Sequence, residues 1–95
     1  MIEKPKRTKN KKNLSFIKSL PCFICGARPS DADHVKSQGA GGGDDLDNLQ
    51  ALCRSHHTER HTIGIKTFLS RYRERLNDAR DKYDLPDLDL KSILD

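Results

Sequence analysis

The sequence predicts a small α+β fold in which two short strands pack with helices around a core too thin to hold on its own. Three observations lead there. The chain has 95 residues, of which 34% are hydrophobic and none is Trp, so it supports one domain with little apolar volume. Only two stretches, "DADHV" and "LQALC", read as strands, and both are short. A longer segment beginning at Ile65 keeps a helical period over several turns. A chain built this way needs a staple, either disulfides or a bound metal.

The elements follow in order. Lys4, Lys6, Arg7, Lys9, Lys11 and Lys12 face only Glu3 within the first twelve residues, a local charge of +5 in a chain that nets +4, so the remainder nets −1. With no apolar anchor, residues 1–13 are expected to form a disordered basic arm. Through its six cations it is either a sequence-independent phosphate binder or simply a solubilising terminus. In "LSFIKSLP", Leu14, Phe16, Ile17 and Leu20 are spaced for a short helix, with Ser15 as a cap and Pro21 as its stop. "CFIC" is a tight turn with Gly26 just beyond it, and "DADHV" is the first strand. Gly39 to Asp45 is too glycine-rich for regular structure and reads as a loop. Its acids Asp44 and Asp45, with Asp47, are solvated unless one lies beside a metal as an outer contact. "LQALC" pairs back on the first strand, and "RSHHTERHT" is a helix packed across the pair.

Gly64 separates that helix from a longer amphipathic one over about 65–83. Ile65, Phe68, Leu69, Tyr72, Leu76, Ala79 and Tyr83 form its core stripe, and Arg71, Arg73, Arg75 and Arg80 its solvated face. Residues 84–95 form an acidic tail, broken by Pro86.

Three cysteines are an odd number, and no apolar run qualifies as a signal peptide or a membrane span. The expected setting is therefore intracellular, cytoplasmic and reducing, where cysteines hold metal in preference to bridging. All three cysteines and all four histidines lie between Cys22 and His61. Cys22 and Cys25 make a C-x2-C pair, and Cys53 and His56 a C-x2-H pair; together they suit a closed tetrahedral zinc site of structural type. The alternative, three buried free thiols, leaves the paired spacing unexplained. On a helix, successive residues are turned by about 100°, so His57 points away from His56 but shares a face with His61 one turn on. Those two belong to another site. Arg60 lies at the edge of the same face, within reach of an anion bound there.

Asp33-His34 in "DADHV", Asn48 in "LDNLQALC" and His57 in "CRSHH" resemble the motif of the His-Asn-His (HNH) endonucleases. The resemblance covers roughly Leu14 to Phe68. It implies a ββα-metal unit, about residues 22–62, braced by a structural zinc as in the zinc-braced subgroup. A short N-terminal helix and the longer C-terminal amphipathic helix would flank it, within a nuclease domain of about 14–83. Position by position, it implies that Asp33, His57 and His61 coordinate a catalytic ion, the last as in the H-x3-H variant of the family. His34 would be the general base, and Asn48 would stabilise the loop that orients it. Two features depart from the family: the second zinc half-site is C-x2-H where C-x2-C is common, and Arg60 stands where a lysine is frequent, which keeps a positive charge near the substrate phosphate.

The implied activity is hydrolysis of DNA phosphodiester bonds with one divalent ion, giving 5′-phosphate and 3′-hydroxyl ends. The chemistry is coherent, because a neutral imidazole can accept a proton near neutral pH and a cation can stabilise charge developing on phosphate oxygens. On a strand, Asp33 and His34 point to opposite faces, so a local distortion or a strand end is expected there. A carboxylate favours Mg²⁺ or Mn²⁺ and imidazoles favour Zn²⁺ or Ni²⁺, so the ligand set leaves the ion open. The expected partner is DNA, not a membrane, and the family's habits suggest a phage or mobile-element setting or a larger protein partner in packaging or recombination. The alternative function is a zinc-stabilised nucleic-acid-binding module without turnover.

Overall fold

The computed structural model describes residues 9–93. The chain runs as α1 (Lys11–Ser19), β1 (Asp31–His34), β2 (Leu49–Leu52), α2 (Arg54–Ile63), α3 (Ile65–Arg71), α4 (Arg73–Lys82) and α5 (Leu90–Ile93). The small α+β architecture expected from the sequence is present. None of the described helices is long and apolar enough to cross a membrane.

Helix α1 begins four residues before the expected cap. Asn10, in extended conformation, accepts the Asn13 N–H at 3.1 Å through its side chain, so Asn10 and not Ser15 caps the helix. Lys11 and Lys12 thereby sit on its first turn, whereas Lys4, Lys6 and Arg7 of the expected arm lie outside the described residues. Leu20 turns extended ahead of Pro21 and ends the helix. Ile17 and Leu20 enter the core, while Phe16 stays 42% exposed.

Strands β1 and β2 pair antiparallel with Asp31 opposite Leu52, Ala32 opposite Ala51, Asp33 opposite Gln50 and His34 opposite Leu49. Every residue of β2 is buried, because α1 and α2 both pack against the two strands. The outer edge of β2 would leave carbonyls without partners, and two distant groups supply them. The Phe23 N–H donates to Ala51 O at 2.8 Å, and Arg80 Nη1 donates to Leu49 O at 2.7 Å.

The connection between the strands is mostly irregular, as expected, apart from 3-10 turns at Gln38–Ala40 and Leu46–Asn48. Gly64, at φ +86°, divides α2 from α3. The single helix expected over 65–83 is in fact two, since Tyr72 leaves helical geometry between them (φ −113°, ψ 22°). The break coincides with the Tyr72 hydroxyl donating to Glu59 Oε1 of α2 at 2.6 Å, while Phe68, Leu76 and Ala79 remain in the core.

Arg80 corrects the sequence reading outright. It is 2% exposed, and its guanidinium donates to the carbonyls of Leu46, Leu49 and Pro86. After α4 the chain reverses at Asp84 (φ +55°), and Leu85, buried, donates its N–H to Arg80 O at 2.8 Å. The reversal carries the tail back over Arg80, so a side chain that periodicity assigns to solvent becomes an internal tie. Burial lowers its guanidinium to about 10, opposed by the charges of Asp47 and Asp87.

Candidate active site and metal centres

The cysteine knuckle is shaped by its own backbone. Gly26, at φ +76°, allows the turn to close, with the Cys22 N–H donating to Ala27 O and the Gly26 N–H to Cys22 O, both at 2.9 Å. The Ile24 N–H points at Cys22 Sγ, 3.4 Å away. From the second half-site, Cys53 immediately precedes α2 and His56 lies in its first turn.

The ligand atoms of Cys22, Cys25, Cys53 and His56 all fall within 4.8 Å of one another. Cys22 Sγ is 3.6 Å from His56 Nδ1, Cys25 Sγ is 3.8 Å from Cys53 Sγ, and Cys53 Sγ is 3.3 Å from His56 Nδ1. A tetrahedral shell with Zn–S of about 2.3 Å and Zn–N of about 2.0–2.1 Å has edges of about 3.5–3.8 Å. The four residues therefore fit such an ion, and the cysteines are free thiols, not bridges. Burial pushes the Cys22 thiol up, but the main-chain N–H groups of Cys53, Cys25 and Ile24 outweigh it and hold the thiol below its ordinary value. Cys25 is opposite. The Ala27 N–H favours its thiolate, yet burial and the sulfurs of Cys53 and Cys22 together raise it. Crowded sulfurs resist joint ionisation, and a dication is what would relieve them.

The second cluster lies on the face of the sheet covered by α2. Asp33, His57 and His61 also bring ligand atoms within 4.8 Å of one another. Asp33 Oδ1 is 3.3 Å from His57 Nε2, which is 3.2 Å from His61 Nε2. With bonds of about 2.1 Å, octahedral and tetrahedral shells have edges of about 3.0 and 3.4 Å, so the donor set fits a small divalent ion of either geometry.

The supports of the three differ. Asp33, 2% exposed, receives the Gln50 amide on Oδ2 at 2.8 Å and has Arg60 Nε 3.3 Å from the same oxygen, which leaves Oδ1 turned to His57. His57 Nδ1 is 3.2 Å from Asp31 Oδ2. A proton on Nδ1 facing that carboxylate would leave the Nε2 lone pair for an ion, the usual backing of a metal-binding histidine. The His57 hydrogen bond in turn holds the Asp31 carboxyl below its ordinary value against partial burial, with Arg54 adding to it. His61 is less well backed, because Arg60 Nη1, a donor, stands 3.3 Å from its Nδ1.

His34 is the last residue of β1, the strand end expected from its position beside Asp33. Its Nε2 lies 2.7 Å from Asp44 Oδ1. Asp44 is 4% exposed, so it is no solvated loop acid: the loop folds it back under α1. Asn48 is buried and binds three main-chain groups: the Lys36 N–H donates to its Oδ1 at 2.7 Å, and its amide donates to Lys36 O at 3.1 Å and Gly43 O at 2.9 Å. It thus ties the residues after His34 to the glycine loop. Gly42 fits under this tie only without a side chain, since a Cβ there would lie 1.9 Å from Lys36 O and 2.9 Å from Asn48 Nδ2.

Arg60 is where the geometry departs from an anion contact. It is buried, and its Nη2 donates to His34 O at 3.0 Å and Val35 O at 2.8 Å. Its guanidinium is committed to β1 and Asp33, which makes it a brace for the strand that carries both. Asp31, Gln50 and Asp44 were not singled out as site residues by sequence. The D-x-D-H spacing was the available signal for Asp31, which shares a strand face with Asp33.

Two strands, a crossing helix and two separate ligand clusters define a small α+β domain with two candidate metal centres. A family model described as "Putative HNHc nuclease" matches residues 4–85, and the chain belongs to this HNH nuclease family. The chain is also similar to the Uncharacterized protein YdfU of Escherichia coli (strain K12), at 33% identity over 78 residues. That match takes in 79% of this chain and 22% of the relative, so the chain spans about a fifth of that protein's length. No solved structure matches it significantly.

Proposed function

We propose that the protein is a metal-dependent HNH endonuclease that hydrolyses DNA phosphodiester bonds through a single divalent ion. The observation that carries this is the second cluster: Asp33, His57 and His61 converge at the end of the strand that bears His34, apart from the cysteine site. A module that only binds nucleic acid needs the brace formed by Cys22, Cys25, Cys53 and His56. It has no use for a second carboxylate–imidazole set beside another histidine.

In this reading the cysteine site holds structural zinc, and Asp33 and His57, with His61 as third ligand, hold the catalytic ion, Mg²⁺ or Mn²⁺ ahead of Ni²⁺ or Zn²⁺. When bound, that ion supplies positive charge to a non-bridging phosphate oxygen and to the departing 3′ oxygen. His34 accepts the proton of the attacking water as its oxygen bonds to phosphorus. The bond to the 3′ oxygen breaks, and that oxygen takes up a proton from solvent, leaving 5′-phosphate and 3′-hydroxyl ends. Asn48 holds the turn on which His34 depends, and Arg60 fixes the strand through the His34 and Val35 carbonyls, so its contribution is positioning. Lys4, Lys6, Arg7, Lys9, Lys11 and Lys12 would contact phosphates without reading sequence, and binding should weaken steeply with salt.

The test is nicking of supercoiled DNA with Mg²⁺, Mn²⁺, Ni²⁺ or Zn²⁺ by the zinc-loaded protein and by His34→Ala. His34→Ala should bind DNA and keep zinc while cutting about 100-fold slower or worse. If both proteins bind DNA equally and neither cuts with any of the four ions, the binding-module reading replaces this one.

A further inference from the structure

The mechanism above uses one nitrogen of His34 and leaves open what fixes the ring. Asp44 lies ten residues downstream, in a loop, and its two carboxylate oxygens serve different masters. Oδ1 is 2.7 Å from His34 Nε2, and Oδ2 accepts the Asn10 N–H at 2.9 Å. Its main-chain carbonyl accepts the Asn13 side-chain amide at 2.8 Å. The carboxylate is therefore held by the N-cap residue of α1 on one side and presented to the imidazole on the other, with the His34 side chain 16% exposed.

A carboxylate accepts hydrogen bonds and, when ionised, cannot donate them. At this distance the contact requires a proton on Nε2, and in the neutral ring that makes Nδ1 the nitrogen with the lone pair. The Gln38 amide, exposed and 3.3 Å from the same nitrogen, is the weaker neighbour, because the contact to Asp44 is shorter and ionic. Turning that amide about its last bond presents its oxygen instead.

We propose that Asp44 is a positioning residue for His34: it fixes the imidazole tautomer with the proton on Nε2, so that Nδ1 is the atom that takes the proton of the attacking water. The role of His34 as base rests on the nuclease reading, whereas the tautomer does not. The same contacts make α1, the helix that continues the basic N-terminal segment, a buttress of the reactive histidine.

The informative variant is Asp44→Asn. An asparagine keeps an oxygen for the Asn10 N–H and turns an amide N–H toward His34 Nε2, which preserves the anchor of α1 but moves the imidazole proton to Nδ1. ¹⁵N-resolved NMR of the histidine rings, on the full chain loaded with zinc and Mg²⁺ at mildly alkaline pH, should find His34 protonated on Nε2 in the wild type and on Nδ1 in Asp44→Asn. Steady-state nicking should show kcat lower by about 100-fold or more, with KM within about threefold of wild type.

A wild-type His34 protonated on Nδ1 overturns the proposal, as does an Asp44→Asn protein that retains zinc and cuts at the wild-type rate. Should Asp44→Asn fail to keep zinc and fold, the wild-type ring spectrum still decides. If the wild type cuts no DNA, the nuclease reading falls, and the spectrum alone says whether Asp44 sets the ring.

Discussion

Replacing Arg80 by methionine keeps an unbranched apolar stem and deletes the guanidinium. Three hydrogen bonds to main-chain carbonyls go with it, at Leu46, Leu49 and Pro86. At about 2 kcal/mol for each bond from a charged donor, the gross loss is about 6 kcal/mol. Against this stands the burden of burying the charge. Burial lowers the guanidinium to about 10, a shift that corresponds to about 3 kcal/mol that methionine gives back. The net expectation is a loss of about 3 kcal/mol, a large share of the stability of so small a domain. At about 4–8 °C per kcal/mol, the melting temperature should fall by about 12–24 °C. Thermal melts of the zinc-loaded protein followed by circular dichroism measure it, with Arg80→Lys expected between the two because an ammonium can serve some of the same carbonyls. A drop under about 4 °C for Arg80→Met, equivalent to less than about 1 kcal/mol, would refute the view that this side chain ties the tail to the edge of β2.

Removing zinc with a chelator, or replacing Cys53 by Ser, should abolish the cooperative melt, since zinc affinity in small domains is about as large as the whole folding free energy; a metal-free chain that melts like the wild type would contradict this. His57→Ala should weaken binding of Mn²⁺ or Ni²⁺ to the zinc-loaded protein by about 100-fold and His61→Ala by about tenfold, as judged by calorimetry, and the reverse order would contradict the difference in their supports. Asp47→Asn should raise the melting temperature at neutral pH. Burial first, then Asp45 and Asp89, push the Asp47 carboxyl up, with Arg80 opposing. A raised carboxyl begins to destabilise the fold as pH rises past its unfolded value and does so fully above its folded value, so the advantage of the variant should shrink as pH falls toward the carboxylate range; an advantage that grows on acidification would reverse the sign.

The two ligand clusters were legible in the sequence because ligand pairs are local. Cys22 with Cys25 and Cys53 with His56 each fit within one turn, and helical rotation alone separates His56 from His57. The strands were legible as two short stretches on either side of a glycine-rich loop that can pair back on each other, and they do so antiparallel. What escaped depends on contacts between residues far apart in the chain. Arg80 falls on the polar side of a periodic helix, and only the reversal at Asp84 and the open edge of β2 bring carbonyls to it. Asp44 looks like its neighbour Asp45, and only the path of the glycine loop gives the two different surroundings. Arg60 was placed on the correct helix face, but its reach to the carbonyls of β1 is a matter of depth, which spacing does not encode. Asn10 precedes the apolar pattern, so a reading that begins at the first apolar residue finds Ser15 instead.

The glycine run between the strands looks like a flexible spacer whose letters are interchangeable. Position 42 is not, since any larger residue there collides with the Lys36 carbonyl and the Asn48 amide, whereas an added methyl at Gly39 meets nothing nearby. A saturation library across the loop should therefore be tolerant at 39 and starkly selective three positions later. That asymmetry is a signature by which shorter or more divergent chains with the same loop can be told from ordinary polyglycine linkers.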